Sequence, residues 1–160
     1  MIELRVNGKK YEVEARPHDR LSTVLRDRLF LHGVRVSCTE GECGSCTILL
    51  DSVPVTSCMV LAMQAEGRDI VTIEGLGTPD NVHPIQQAYI EEQGFQCGFC
   101  TPGFIMATKA FLDRNPSPTE EEAALAISGN ICRCGAYPYI VRSVMKAAEK
   151  LRQQKASAAD

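Results

Sequence analysis

The sequence predicts an α+β protein of two small parts, a strand-rich first half and an all-helical second half. Three observations support this. Apolar and polar residues alternate in short runs up to residue 73. Turn formers crowd together at Gly75, Gly77, Pro79, Asp80, Asn81 and Pro84, and no β-rich run recurs beyond them. The eight cysteines also fall four on each side of that boundary. The expected division is a first domain at 1–76, a linker at 77–84, a helical domain at 85–152 and a frayed polar tail at 153–160.

Ile2, Leu4 and Val6 alternate ahead of Asn7-Gly8, and Tyr11, Val13 and Ala15 follow it, which predicts a tight β-hairpin. Leu21, Val24, Leu25, Leu29 and Phe30 repeat at helical spacing, so one helix, with Asp19 or Ser22 near its start, should pack on the sheet. A loop rich in cysteine and glycine runs from Ser37 to Cys46. Thr47–Leu50 and Val53–Thr56 flank Asp51-Ser52 as a second hairpin, and Ile70–Ile73 reads as a further strand. Four helices should follow: Ile85 to Gln93, Pro102 to Arg114, Thr119 to Ser128, and Tyr137 to about Leu151. Pro102 and Pro118 lie near helix starts, Thr119 with Glu122 forms a capping box, and Gly94 or Gly129 lies near helix ends.

Charged residues make up 23% of the 160, hydrophobic residues 44%, and the net charge is -3. Such a surface does not suit nucleic acid or an anionic membrane. No stretch approaches the roughly 20 apolar residues that cross a bilayer, and the amphipathic start Met1–Val6 is no secretion signal. A cytoplasmic location without membrane insertion is expected. Thiols stay reduced there, so the cysteines point to metal rather than disulfides.

Cys38, Cys43, Cys46 and Cys58 are spaced C-x4-C-x2-C-x11-C, the plant-type [2Fe-2S] pattern. Gly41 and Gly44 let that loop bend through left-handed angles and bring amide N–H groups close to sulfur. Cys97, Cys100, Cys132 and Cys134 form a second set, C-x2-C-x31-C-x1-C, with a helix start just beyond each pair. The positive ends of those helices would stabilise thiolates and an added electron, and Arg133 adds charge between two ligands. Structural zinc is the rival reading for both sets. Zinc sites usually join two C-x2-4-C pairs, and neither set has that form.

These residues resemble the small iron-sulfur subunit of the molybdenum hydroxylases, the family of xanthine dehydrogenase, aldehyde oxidoreductases, aerobic carbon monoxide dehydrogenase and nicotinate dehydrogenase. The resemblance rests on the stretches Cys38–Cys46, Gln96–Gly103 and Gly129–Gly135, and runs from about residue 2 to about residue 150. It implies a β-grasp, plant-ferredoxin-like domain followed by a four-helix bundle, with one [2Fe-2S] cluster in each. It also implies a large molybdenum-binding partner and a medium FAD-binding partner, or a fused equivalent, in a heterotrimer that can dimerise. Gln96 and Cys134 would contact the molybdopterin of the partner. Electrons would run from molybdenum through the helical-domain cluster and the ferredoxin-like cluster to FAD, for an aldehyde, purine, N-heterocycle or similar substrate chosen by the molybdenum subunit. Ser37 departs from the pattern, because many relatives carry glycine there. A free-standing two-cluster ferredoxin is the alternative within the same chemistry.

No nucleophile–base constellation, phosphate loop or open metal site stands out, so no catalytic residue is assigned to this chain. His18, His32 and His83 lie at no ligand spacing and read as structural or solvated. Glu120-Glu121-Glu122 is first-turn acidity of a helix, and Phe95, Phe99 and Phe104 are packing residues.

Overall fold

The computed structural model describes residues 1–157. Strand β1 (Ile2–Val6) buries Ile2, Leu4 and Val6 and exposes Glu3 and Arg5, so its alternation settles which face meets the core. It turns at Asn7 (φ 51°) and Gly8 (φ 75°) into the antiparallel β2 (Lys9–Val13). Two consecutive left-handed residues make the turn whose twist matches that of paired strands, which is why Asn-Gly occupies it. Asp51 (φ 49°) and Ser52 (φ 66°) repeat the device between β3 (Thr47–Leu50) and β4 (Val53–Thr56). With β5 (Asp69–Val71) the strands form one sheet in the order β2-β1-β5-β3-β4, in which β1 and β5 run parallel and the other neighbours antiparallel.

All four residues of β3 are buried, because this strand has cover on both faces. Ile48 and Leu50 join the core with Leu4, Leu21, Leu25 and Ile70, whereas Leu49 faces the other way onto Met106 and Ala110. Those two belong to α3 (Thr101–Arg114), so a helix of the second half lies directly on the sheet of the first. The remaining helices are α2 (Pro84–Glu91), α4 (Glu120–Ala126) and α5 (Tyr137–Ser157). Helix α5 buries Ile140, Ser143, Val144, Ala147 and Ala148, one stripe at helical spacing, around Ile85, Tyr89 and Phe104.

The expected helix after residue 20 takes another form. One α-helical turn, α1 (Leu21–Thr23), widens into a π-helical turn (Val24–Arg28), with the Leu29 N–H donating to the Val24 carbonyl at 3.1 Å. The wider turn keeps Leu21, Val24 and Leu25 buried while Phe30, at φ 57°, swings out to 71% exposure. Neither Asp19 nor Ser22 caps it: Ser22 is buried, and the Asp19 carboxylate accepts from the Arg16 N–H and the Arg28 guanidinium. The strand expected at Ile70–Ile73 ends at Val71, since the Thr72 N–H donates to Asn7 Oδ1 instead of a strand neighbour. Helix α2 ends on a left-handed Gln93 (φ 53°), not on Gly94; Gly94 is needed because a Cβ there would lie 2.3 Å from Ser143 Oγ of α5. Helix α4 stops at Ala126, short of the expected Ser128, with Gly129 three residues beyond its end. The tail expected from 153 is helical through Ser157, and 158–160 lie outside the described residues.

Candidate metal centres

The first cysteine set is delivered by the loop between the π turn and β3, closed by a 3-10 turn (Ser57–Met59) at the end of β4. Gly41 (φ 81°) and Gly44 (φ 67°) take the left-handed angles expected of them, and Thr39 (φ 62°) does so as well, a position the sequence did not mark. Ser37 is not left-handed, so its side chain meets no backbone penalty. The loop turns its amides onto sulfur: the N–H groups of Glu40 and Cys43 each donate to Cys38 Sγ at 3.4 Å. These bonds, with the neighbouring Cys43 thiol, pull the Cys38 thiol down to about 7. Cys46 and Cys58 are each only 2% exposed and lie side by side, and burial pushes Cys46 up to about 11.

Helix ends deliver the second set. Cys100 sits at the N-cap of α3 and Pro102 in its first turn, while Cys132 and Cys134 precede α5. Cys97 lies within hydrogen-bonding reach of Cys134, and Cys100 of Cys132. The Phe99 N–H, then Cys134, lower the Cys97 thiol, whereas burial, then Cys132, push Cys100 up to about 12. At Cys132 burial raises the thiol, but the Ala136 N–H and the Cys100 thiol outweigh it and the net direction is down. Each set thus holds a thiol whose ionisation N–H donors favour, Cys38 or Cys97, and one whose ionisation desolvation opposes, Cys46 or Cys100.

The eight thiols meet in twos: Cys38 with Cys43, Cys46 with Cys58, Cys97 with Cys134, and Cys100 with Cys132. Among the described residues no three His, Cys, Asp or Glu side chains converge on a single-ion position. Two pairs per set suit a cluster of two irons, each taking two thiolates, better than one tetrahedral zinc. Two buried side-chain atoms among the described residues lack a hydrogen-bond partner, Arg35 Nε and Thr101 Oγ1, and both lie beside these cysteines in sequence. Each set thus supplies the four thiolates that a [2Fe-2S] group takes, so the donor sets fit such a group.

The two sets touch through their ligand loops. The Ile131 N–H donates to the Cys43 carbonyl at 2.9 Å, and Asn130 Nδ2 donates to the Gly44 carbonyl at 2.8 Å. Packing there is tight enough that a Cβ on Gly103 would stand 2.3 Å from the Gly44 oxygen. Gln96 and Cys97 are exposed, and so are the apolar side chains Phe95, Phe99, Ile131 and Tyr137 and the charged Arg133. Phe104 is core. His18 and His32 are exposed, and His83 caps α2. Glu120, Glu121 and Glu122 form the first turn of α4, with the Thr119 capping box in place. Among the described residues no helix is long and apolar enough to cross a membrane.

Comparison with known proteins agrees with this arrangement. Residues 4–71 match the family model for a 2Fe-2S iron-sulfur cluster binding domain, and residues 72–145 that for a [2Fe-2S] binding domain. The chain is 47% identical to one of the subunits of nicotinate dehydrogenase from Pseudomonas putida, covering 95% of this chain and 97% of that one. Among solved structures it resembles aldehyde oxidoreductase from Desulfovibrio desulfuricans, with a TM-score of 0.91 and 43% identity over 95% of this chain and 17% of that much longer one. Quinoline 2-oxidoreductase from Pseudomonas putida 86 has a chain that matches with a TM-score of 0.90 and 38% identity over 95% of each.

Proposed function

The chain belongs to the small iron-sulfur subunits of the molybdenum hydroxylase family, and on that premise we propose that it relays single electrons from a molybdopterin-molybdenum centre in one partner subunit to FAD in another. It is an oxidoreductase subunit carrying two [2Fe-2S] clusters. When bound, each cluster supplies a one-electron couple. Cys38, Cys43, Cys46 and Cys58 hold the flavin-side cluster, with Gly41 and Gly44 shaping the loop. Cys97, Cys100, Cys132 and Cys134 hold the molybdenum-side cluster. Gln96 and Cys134 meet the pterin, for which the exposed position of Gln96, with both donor and acceptor on its amide, is suited.

The observation that carries the reading is the hydrogen bond from the Ile131 N–H to the Cys43 carbonyl. Cys43 is a ligand of one set, and Ile131 is joined by one peptide bond to Cys132, a ligand of the other. The ligand loops are thereby held in register, as transfer between two centres requires. Helices α2 to α5 form the four-helix bundle of the family, with α3 shared with the sheet, and the domains divide at 76 and 85. The assembly is a cytoplasmic heterotrimer whose molybdenum subunit selects an aldehyde, purine, N-heterocycle or similar substrate.

Anaerobic purification of the chain with whatever binds it tests this. About four irons per chain with matching acid-labile sulfide, and co-purifying flavin- and molybdenum-binding chains, are expected. Stoichiometric zinc without sulfide would overturn the cluster assignment, and a fully loaded chain that is stable without partners would point to a free-standing ferredoxin.

A further inference from the structure

Buried polar atoms in folded chains nearly always find partners, so the orphaned Arg35 Nε calls for a cause. Arg35 precedes Cys38 by three residues, in the segment leading into the first ligand loop. Its guanidinium carbon lies 5.8 Å from the centroid of the Phe99 ring, and Phe99 stands between Cys97 and Cys100 in the second ligand loop. Arg35 thus leaves the chain three residues before one ligand set and lays its guanidinium over a ring that stands between two ligands of the other. Among the described residues no carboxylate pairs with it. A guanidinium stays ionised at any working pH, and the face of an aromatic ring holds it without neutralising it.

We propose that Arg35 is a tuning cation shared by the two [2Fe-2S] sites, a positioning residue whose fixed charge makes both clusters easier to reduce. The inference rests on the cluster assignment above. Reduction adds one negative charge to a site already crowded with thiolate, and a nearby cation in partly desolvated surroundings stabilises the added electron. Because Arg35 serves both sites, it raises both potentials together and leaves the gap between them nearly unchanged. A donor at one sulfur would move one potential alone.

The test is an EPR-monitored redox titration of the full cluster-loaded chain in its complex, as wild type, Arg35→Met and Arg35→Lys. Arg35→Met is expected to shift the reduced-to-oxidised ratio at a given potential about tenfold toward oxidised at both clusters, 59 mV for a one-electron couple. Arg35→Lys, which keeps the charge, is expected to stay close to wild type. An unshifted Arg35→Met, a shift at one cluster only, or an equal shift in Arg35→Lys overturns the proposal. If Arg35→Met fails to load, Arg35→Gln takes its place under the same criteria. Failure of both neutral variants to load while Arg35→Lys loads would show a structural clamp and not a tuning charge. Wild-type protein lacking iron and sulfide would sink the cluster assignment itself, a separate result.

Discussion

The two cysteine sets reach the same two-by-two arrangement by opposite routes. Cys38, Cys43, Cys46 and Cys58 come from one loop and the hairpin that follows it, and two of them are sunk in the sheet core. Cys97 and Cys100 are separated from Cys132 and Cys134 by all of α3 and α4, so helix packing must bring them together. Widening the largest gap from x11 to x31 raises the closure cost by only about 1 kcal/mol. Dependence on tertiary structure is the larger difference. The first site is built into a core, whereas the second is assembled at helix ends with Gln96 and Cys97 open to a partner.

The strongest way to break that comparison is to remove one ligand from each set. Cys58→Ser and Cys132→Ser should each lower iron from about four to about two per chain, with one of two EPR signals lost. Hydrogen exchange should rise around residues 97–137 in Cys132→Ser while β1, β3 and β5 stay protected. In Cys58→Ser the increase should fall on residues 37–60. Equal loosening of both halves in either variant would show that the sites do not assemble separately.

A smaller effect should come from the seam. Gly44 is left-handed, and a Cβ there would stand 2.5 Å from Asn130 Nδ2 and 2.6 Å from the Gly129 carbonyl oxygen. Gly44→Ala should therefore cost about 2 kcal/mol, from backbone strain and displacement of the 129–131 loop. A lowered Tm and weaker magnetic interaction between the clusters, with iron content unchanged, are the expected readouts. An unchanged Tm would mean that the seam yields and the halves are joined loosely.

What the sequence made legible follows the reach of each interaction. Asn7-Gly8 and Asp51-Ser52 were readable as hairpin turns because the required angles belong to the turn residues themselves. Gly41 and Gly44 were readable as loop glycines for the same reason. Gly44 has a second role, giving room to Asn130, which rests on residues 86 positions apart and left no local sign. The Ile131–Cys43 bond was hidden likewise. The π turn at Val24–Arg28 escaped because its apolar spacing fits an ordinary helix, and the left-handed Phe30 that follows it left no local sign. In β3, the run Thr47–Leu50 was readable as a hairpin arm, but neither its cover on both faces nor the part α3 plays in it left a local sign.

The same comparison predicts where mild acid acts first. Helix α2 begins at His83, whose Nδ1 accepts the Ile85 N–H at 3.2 Å, a bond that only neutral imidazole can accept. Burial, then Lys109, lower its pKa below the ordinary 6.5. A folded value below the unfolded one gives stability that is complete above about 6.5 and lost as pH falls from there toward the folded value. Carboxylates titrate near 4 and lie outside that window. The π turn of the first half has no side-chain cap to lose. Going from about pH 7.5 to about pH 5.5 should therefore raise hydrogen exchange at the start of α2 and leave the 21–28 segment unchanged. His83→Asn keeps a capping acceptor that does not titrate and should flatten the α2 response. Equal pH slopes in wild type and His83→Asn would assign the loss to another group and remove this contrast between the halves.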